Sequence, residues 1–334
     1  MFWSKKCFVV QGRTVLITGG STGLGLSAAK QLAAKGANII IVARDVAKLE
    51  TAKEDIKNSA LSETTQRFHH IVADVTSPEA CSTVVAEATK WNNDSPPDIV
   101  WCCSGSAHPS LFIDTPIDQF QKMMDSNYFS CVYMAHEILN VWLRSESTPA
   151  VSSSESRPSR HLIFTASFVS FFSFAGFTPY SPSKAATRSL SDSLSQEMNL
   201  YAAAHPELPL VRVHTVFPAT MPTQSLTDEN KVKTDLTKSL EEGDQVLTPD
   251  ECARRAIKGL ENGRELVPTS GIIHAVMTSM LGGSIRGGFV TGLLDTMLGW
   301  AVMLVMVFVR WEMDKKVRIW GKRYGSSGMK ESDE

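Results

Sequence analysis

The chain carries no excess of charge of either sign. Its 33 Lys and Arg stand against 35 Asp and Glu, a net charge of −2 over 334 residues, which excludes the basic footprint of a nucleic-acid-binding surface. Cysteine is sparse. The six residues form no C-x-x-C pair, so neither a zinc site nor a disulfide framework is indicated, and adjacent Cys102 and Cys103 read as buried free thiols in a reducing compartment. The histidines do not cluster either. His69 and His70 are neighbours in a strand pattern and so face opposite ways, and His136, His161, His205 and His214 are scattered, so no metal is expected. No repeat of about 20 to 50 residues is visible. Residues 1–10 are too short for the apolar region and cleavage site of a secretory signal.

What is present is enough apolar residue, 43%, to bury one large core. Short apolar runs near 13–18, 38–43, 67–73, 98–103, 161–166 and 211–217 alternate with helical stretches, and a last strand is expected at 265–268. That order predicts right-handed βαβ units, hence an α/β fold with a parallel sheet covered by helices on both faces. Residues 145–160 are rich in serine and proline without apolar periodicity and read as a flexible surface insertion.

Two motifs carry chemistry. The run RTVLIT is followed at once by Gly19, Gly20, Ser21, Thr22, Gly23, Leu24 and Gly25, then by a helical pattern over 26–35. Glycines at 19, 23 and 25 allow positive φ and close approach of backbone to a phosphate, the helix N-terminus offers N–H groups, and Ser21 and Thr22 add hydroxyls. An ordinary βα loop is the alternative, but a second strand at 38–43 favours a nucleotide site. That strand ends in Arg44, about twenty residues beyond the turn, where a fold selective for NAD places an acid. With Lys48 one helical turn further on, the two cations suit a 2'-phosphate and favour NADPH, unless they are simply surface cations. Asp45 is placed to cap the helix beginning near Val46.

The second motif is Tyr180 and Lys184, four residues apart, with Ser167 13 positions upstream of the tyrosine. A phenol titrates near pH ~10, so a lysine on the same helix face is expected to lower its pKa for acid–base work; a solvated helix face is the alternative. Phe171, Phe172, Phe174 and Phe177, between serine and tyrosine, either line an apolar entrance or pack in the core.

Taken together, TGGSTGLG, Asp74 after the third strand, Asn127 in a mid-chain helix and Ser167/Tyr180/Lys184 resemble the short-chain dehydrogenase/reductase family over roughly residues 10–220. Within it, VARDVAKLETAKEDI, FAGFTPYSPSKAA and a hydrophobic tail look most like the 3-ketodihydrosphingosine reductases of fungal type. The resemblance implies a Rossmann-like doubly wound sheet, NADPH at its C-terminal edge, and reduction of a long-chain sphingoid ketone to dihydrosphingosine in sphingolipid synthesis. It assigns Ser167, Tyr180, Lys184 and Asn127 to catalysis: Tyr180 as proton donor, Ser167 polarising the carbonyl, Lys184 also bonding the nicotinamide ribose, and Asn127 holding a relay water. Asn127 also reads as a polar residue tolerated in a helix. Asp74 would accept from the adenine amino group or else cap the helix after Ser77. Where the family has Asn-Asn-Ala-Gly, this chain has Cys102, Cys103, Ser104 and Gly105, which leaves Gly105 as the backbone approach; its Pro-Gly is Pro218 and Ala219, with Thr220 the partner for the carboxamide. Residues 221–245 stand where the family places its substrate lid. A membrane-bound relative acting on steroids or retinoids, and a non-catalytic NADPH-binding scaffold, are the alternatives.

Residues 271–285 contain no Asp, Glu, Lys or Arg, Arg286 interrupts, and residues 289–309 carry one charge, Asp295. A bilayer core of ~30 Å needs about 20 such residues. Trp300, Trp311 and Trp320 with Lys315, Lys316, Arg318, Lys322 and Arg323 resemble an interfacial belt. A span, a hairpin with the 271 segment and an interfacial helix all fit, as does a buried helix of a homo-oligomer. The division expected is a cofactor-binding domain over 1–270 and a membrane-associating tail over 271–334. NADPH and free thiols then place the catalytic domain on the cytosolic face of the endoplasmic reticulum membrane.

Overall fold

The computed structural model describes residues 8–62, 64–144, 158–282 and 287–330. Seven strands form one sheet: β1 (Thr14–Thr18), β2 (Asn38–Ala43), β3 (Phe68–Val72), β4 (Ile99–Cys102), β5 (Arg160–Thr165), β6 (Val211–Phe217) and β7 (Leu266–Pro268). All neighbouring pairs are parallel, in the order β3-β2-β1-β4-β5-β6-β7. Chain direction across the sheet therefore reverses between β1 and β4, and the carboxyl ends of these strands frame the crevice in which doubly wound folds bind ligands.

Helices cover both faces. On one, α1 (Gly23–Ala33) and α9 (Pro249–Glu261) pack Ala28, Leu32, Cys252, Ala256 and Leu260 against Val15, Ile17, Ile39 and Ile41. On the other, α3 (Pro78–Trp91) and α5 (Ser130–Arg144) set Val84, Met134 and Ile138 against Leu16, Ile40, Val42 and Val100. Successive side chains of β1 and β2 thus divide between two cores, the period of two that a doubly covered sheet requires. Between lie α2 (Val46–Lys57), capped by Asp45 as expected, α4 (Ile117–Met124), a π-helical turn at Asp125–Phe129, and α6 (Ser181–Ala204). Residues 221–245 form α7 (Gln224–Val232) and α8 (Asp235–Leu240).

Two boundaries differ from the sequence reading. The expected insertion falls mostly on 145–157, outside the described residues, and Arg160 already opens β5. The division at 270 cuts through packed structure: α10 (Gly271–Met280) buries Ile273, Val276 and Met277 in the same core as Leu266 and Leu260. Its apolar character serves that packing. Past it runs α11 (Phe289–Tyr324), 36 residues long and the one described helix long and apolar enough to cross a membrane. Phe289 and Leu304 are 87% and 71% exposed, so most of its apolar surface has no partner within the chain. Asp295, the charge within the apolar run, meets His274 of α10 at 3.5 Å. A Cβ on Gly299 would collide with the Thr278 carbonyl, which fixes where α10 and α11 cross.

Gly259 of α9 lies directly against the Val267 side chain of β7. Gly259→Val should overpack this contact and destabilise the fold by about 1–3 kcal/mol. A lowered thermal midpoint for the purified protein is expected, and an unchanged midpoint would contradict the packing described.

Candidate active site

Every motif singled out in the sequence reaches the same edge of the sheet. The glycine turn follows β1, Arg44 follows β2, Asp74 follows β3, Gly105 follows β4, Ser167 follows β5 and Thr220 follows β6. The first turn is built for close approach. Gly19 and Gly23 have φ of +67° and +54°, the left-handed region that side chains disfavour. A Cβ on Gly19 would lie 2.8 Å from the Ser104 nitrogen, and one on Gly25 would strike the Gly19 carbonyl. Thr22 precedes α1 with extended backbone and no side-chain cap, whereas Asp45, Ser77, Thr223 and Ser270 cap their own helices. The donors at the start of α1 are therefore left to an anion, and these residues fit the phosphates of a dinucleotide.

Arg44 and Asp74 meet at 3.8 Å across the ends of β2 and β3, and both are well exposed. Asp74 folds back on Thr76, accepting from its N–H at 3.1 Å and its hydroxyl at 2.8 Å, and Ser77 caps α3 instead. Lys48 pairs with Asp45 at 3.5 Å and lines, with Ser21, Thr51 and Asp55, a cleft of about 260 Å³ beside the glycine turn. Thr220 is held by an isolated bridge to Val246, and its carbonyl accepts from Leu247 at 2.9 Å.

The catalytic candidates converge from three elements. Tyr180 immediately precedes α6, so Lys184 comes one turn later, and Ser167 ends the extension of β5 where a short 3-10 turn begins. The Ser167 hydroxyl accepts from Val169 N–H at 3.4 Å and stands near enough to the Tyr180 phenol to favour its ionised form. Lys184 is 4% exposed, and its ammonium donates to the Thr165 carbonyl at 3.0 Å and lies 5.8 Å from the Tyr180 ring centroid. Burial lowers the Lys184 pKa, opposed by the Cys131 and Cys103 thiols. The phenol departs from expectation. Burial, reinforced by the Glu229 carboxylate, pushes its pKa up, and the Ser167 hydroxyl offsets this only in part. Tyr180 therefore rests protonated, the form a reduction needs.

Asn127 sits in the π-helical turn and is fully buried. Its side-chain oxygen accepts from Ser106 N–H at 3.1 Å while its amide donates to the Ser106 and Met123 carbonyls at 2.9 and 3.0 Å. Its own carbonyl accepts from Thr187 of α6 at 3.1 Å. Asn127 thus ties the loop after β4 to the helix that carries Lys184. Gly105 is wedged between them: a Cβ there would stand 2.5 Å from the Asn127 oxygen and 3.3 Å from the Lys184 nitrogen. Sequence reasoning missed Thr165, Ser106 and Thr187. They act through backbone carbonyls or hydroxyls in unremarkable contexts, and no residue-type signal marks them. Of the four phenylalanines, Phe171 and Phe177 are buried, and Phe172 is partly buried against the core. Among the described residues no group of three or more His, Cys, Asp or Glu converges as metal ligands would.

The profile of the short chain dehydrogenase family matches residues 13–234. The chain belongs to this family. The short-chain dehydrogenase is 42% identical to a 3-ketodihydrosphingosine reductase of Aspergillus fumigatus over 95% of its own length and 87% of that protein's. It is 40% identical to one of Neurospora crassa, covering 97% and 87%, and 29% identical to a 3-dehydrosphinganine reductase of Danio rerio, covering 78% and 72%. Among solved structures, a short-chain type dehydrogenase/reductase from Mycobacterium ulcerans superposes with a TM-score of 0.64 at 19% identity, over 87% of this chain and 97% of that one, and shares the fold. The family and fold make it an oxidoreductase using a nicotinamide nucleotide.

Gly25→Ala should displace the Gly19 carbonyl and weaken nicotinamide nucleotide binding by roughly tenfold or more, about 1.4 kcal/mol. Fluorescence titration measures it. Unchanged affinity in a folded variant would remove the glycine turn from the cofactor site.

Proposed function

We propose that this enzyme reduces 3-ketodihydrosphingosine to dihydrosphingosine with NADPH, in de novo sphingolipid synthesis. The observation that carries this is the convergence of Ser167, Tyr180 and Lys184 beside the glycine turn in a chain 42% identical, almost end to end, to a reductase of that name.

A bound reduced nicotinamide supplies a hydride to the ketone carbon. Tyr180 donates the proton that turns the carbonyl oxygen into a hydroxyl, and its raised pKa keeps that proton in place until charge develops on the oxygen. Ser167, beside the phenol, directs a second hydroxyl at the same oxygen and favours the polarised carbonyl. Once the proton has left, the Lys184 ammonium is the nearby cation that stabilises the phenolate, and it would also bond the nicotinamide ribose. Asn127 positions Lys184 from behind and would hold a water that reprotonates the phenolate. Asp74 would accept from the adenine amino group, Gly105 and Thr220 would hold the nicotinamide, and Gly19, Ser21, Thr22, Gly23 and Gly25 would hold the pyrophosphate.

Preference for NADPH rests on Arg44 and Lys48. Both are exposed, Arg44 at the end of β2 and Lys48 in the first turn of α2, where they would meet the 2'-phosphate of a dinucleotide, and Arg44 is the first polar residue after β2. We read residues 1–270 as the cofactor-binding domain, 221–245 as its lid and 271–334 as the segment that associates with the membrane. Within that tail, α10 also belongs to the core and α11 enters the bilayer. The exposed apolar surface of α11, followed by Lys315, Lys316, Arg318, Lys322 and Arg323, supports attachment to the endoplasmic reticulum with the catalytic domain in the cytosol. A single-chain lipid ketone partitions into the same bilayer.

Tyr180→Phe should lower turnover of 3-ketodihydrosphingosine by at least ~100-fold, as expected for loss of a general acid, while NADPH affinity stays within about twofold. Near wild-type turnover would contradict the assignment. Arg44→Asp should lower kcat/KM for NADPH roughly tenfold or more and raise that for NADH, read from initial rates with each nucleotide. An unchanged ratio would place the 2'-phosphate elsewhere.

A further inference from the structure

Reduction of an amino ketone poses a problem that the three catalytic residues leave open. The substrate carries an ammonium on the carbon next to the reacting carbonyl, and this cation must leave water as the chain enters an apolar site. An unpaired charge is costly to bury, and a carboxylate close to Tyr180 offsets that cost most directly.

The lid supplies one. Helix α7 starts at Thr223, whose methyl lies 3.6 Å from the position of a Cβ on Gly23, so this end rests on the cofactor turn. It ends at Lys233, which is 3% exposed and stands 5.5 Å over the Phe177 ring, itself 6.1 Å from the Tyr180 ring. The helix therefore roofs the site from the glycine turn to the catalytic tyrosine. Glu229 is one turn before Lys233, whose N–H donates to the Glu229 carbonyl at 3.0 Å, so both side chains share the face turned toward the Tyr180 loop. Its neighbour Asp228 turns the other way and is tied to Lys231 and Gln224.

Lys233 does not neutralise Glu229. Its ammonium is bound to Glu241 at 2.7 Å, and no described residue gives the Glu229 carboxylate a hydrogen bond or an ion pair. The Glu229 carboxylate is half-buried and close enough to Tyr180 for its charge to act on the phenol. Burial raises its own pKa, with Lys233 opposing and Glu241 adding, which marks a carboxylate short of a cation.

We infer that Glu229 recognises the amino group of the substrate, pairing with the ammonium beside the reacting ketone and so selecting amino ketones over plain ones. The inference rests on the proposed sphingoid ketone reduction. Ammonium binding would also draw α7 down over the site, because the paired groups lie on the lid and on the substrate. Glu229 transfers neither hydride nor proton, and its effect on the Tyr180 phenol is common to both kinds of ketone, so recognition of the amino group is read from the ratio of the two activities.

The test compares Glu229→Gln and Glu229→Asp with wild type on 3-ketodihydrosphingosine and on the same long-chain 1-hydroxy-3-ketone lacking the amino group. NADPH affinity of each variant serves as a check of folding. Glu229→Gln should lower kcat/KM for the amino ketone about 10- to 100-fold, mainly through KM, as expected for loss of a charge-assisted hydrogen bond. Its activity on the deaminated ketone should hold or rise, and Glu229→Asp should recover part of the loss. Equal losses on both ketones, or no loss on either, would overturn the inference while leaving the reductase reading intact. Failure of the wild-type enzyme to reduce the amino ketone would overturn both.

Discussion

A buried ammonium organises this site. Lys184 is almost wholly removed from water, and a cation there is tolerated because the Thr165 carbonyl accepts a hydrogen bond from it and Gly105 and Asn127 close around it. Each of those partners belongs to a different element: the end of β5, the loop after β4 and the π-helical turn. Satisfying one lysine therefore fixes the relative positions of the sheet edge and α6, and with them the places of Tyr180 and Ser167. The π-helical turn is part of the same constraint. It turns the Asn127 carbonyl toward Thr187 of α6, and the side chain clamps Ser106. A regular α-helix there would return that carbonyl to its own ladder.

The electrostatics of the pair then run opposite to the simplest reading. Lysine next to tyrosine suggests a depressed phenol, yet burial dominates and its pKa is raised. A tyrosine that begins protonated and a lysine waiting to stabilise the phenolate suit reduction, in which the proton must arrive with the hydride. The same enclosure makes a charged lid residue consequential. Glu229 acts across a poorly screened space on Tyr180, whereas a solvent-exposed acid at that distance would be damped.

Most of the fold was legible. Strands of Val, Ile and Thr bounded by glycine and polar residues gave each of the seven strands within two residues, because the burial of both sheet faces makes their apolar runs continuous. Ser167, Tyr180, Lys184 and the glycine turn stood out by residue type and spacing, and the structure brings them to one edge of the sheet. What stayed hidden acts through backbone or tertiary context. Thr165 contributes a carbonyl, Ser106 contributes both backbone groups, and Glu229 looks like one of several charged residues in a polar lid. The apolar stretch at 271 was misleading for a related reason: core packing and membrane contact select the same residues, and only placement against β7 and α9 separates α10 from α11. The lower half of α11 also reaches α8 and the segment before Tyr180, where Arg310 donates to the Ser173 carbonyl and Lys316 to that of Ser239 in α8.

The central claim is that a protonated Tyr180 and a buried Lys184 beneath α7 together reduce a sphingoid ketone. The most direct measurement is NADPH oxidation by the purified full chain in detergent with 3-ketodihydrosphingosine, beside a steroid ketone and a retinal, with dihydrosphingosine identified as product. Selective turnover of the sphingoid ketone is the predicted result. Turnover of the steroid or retinal in its place, or none of the three with NADPH bound, would contradict it.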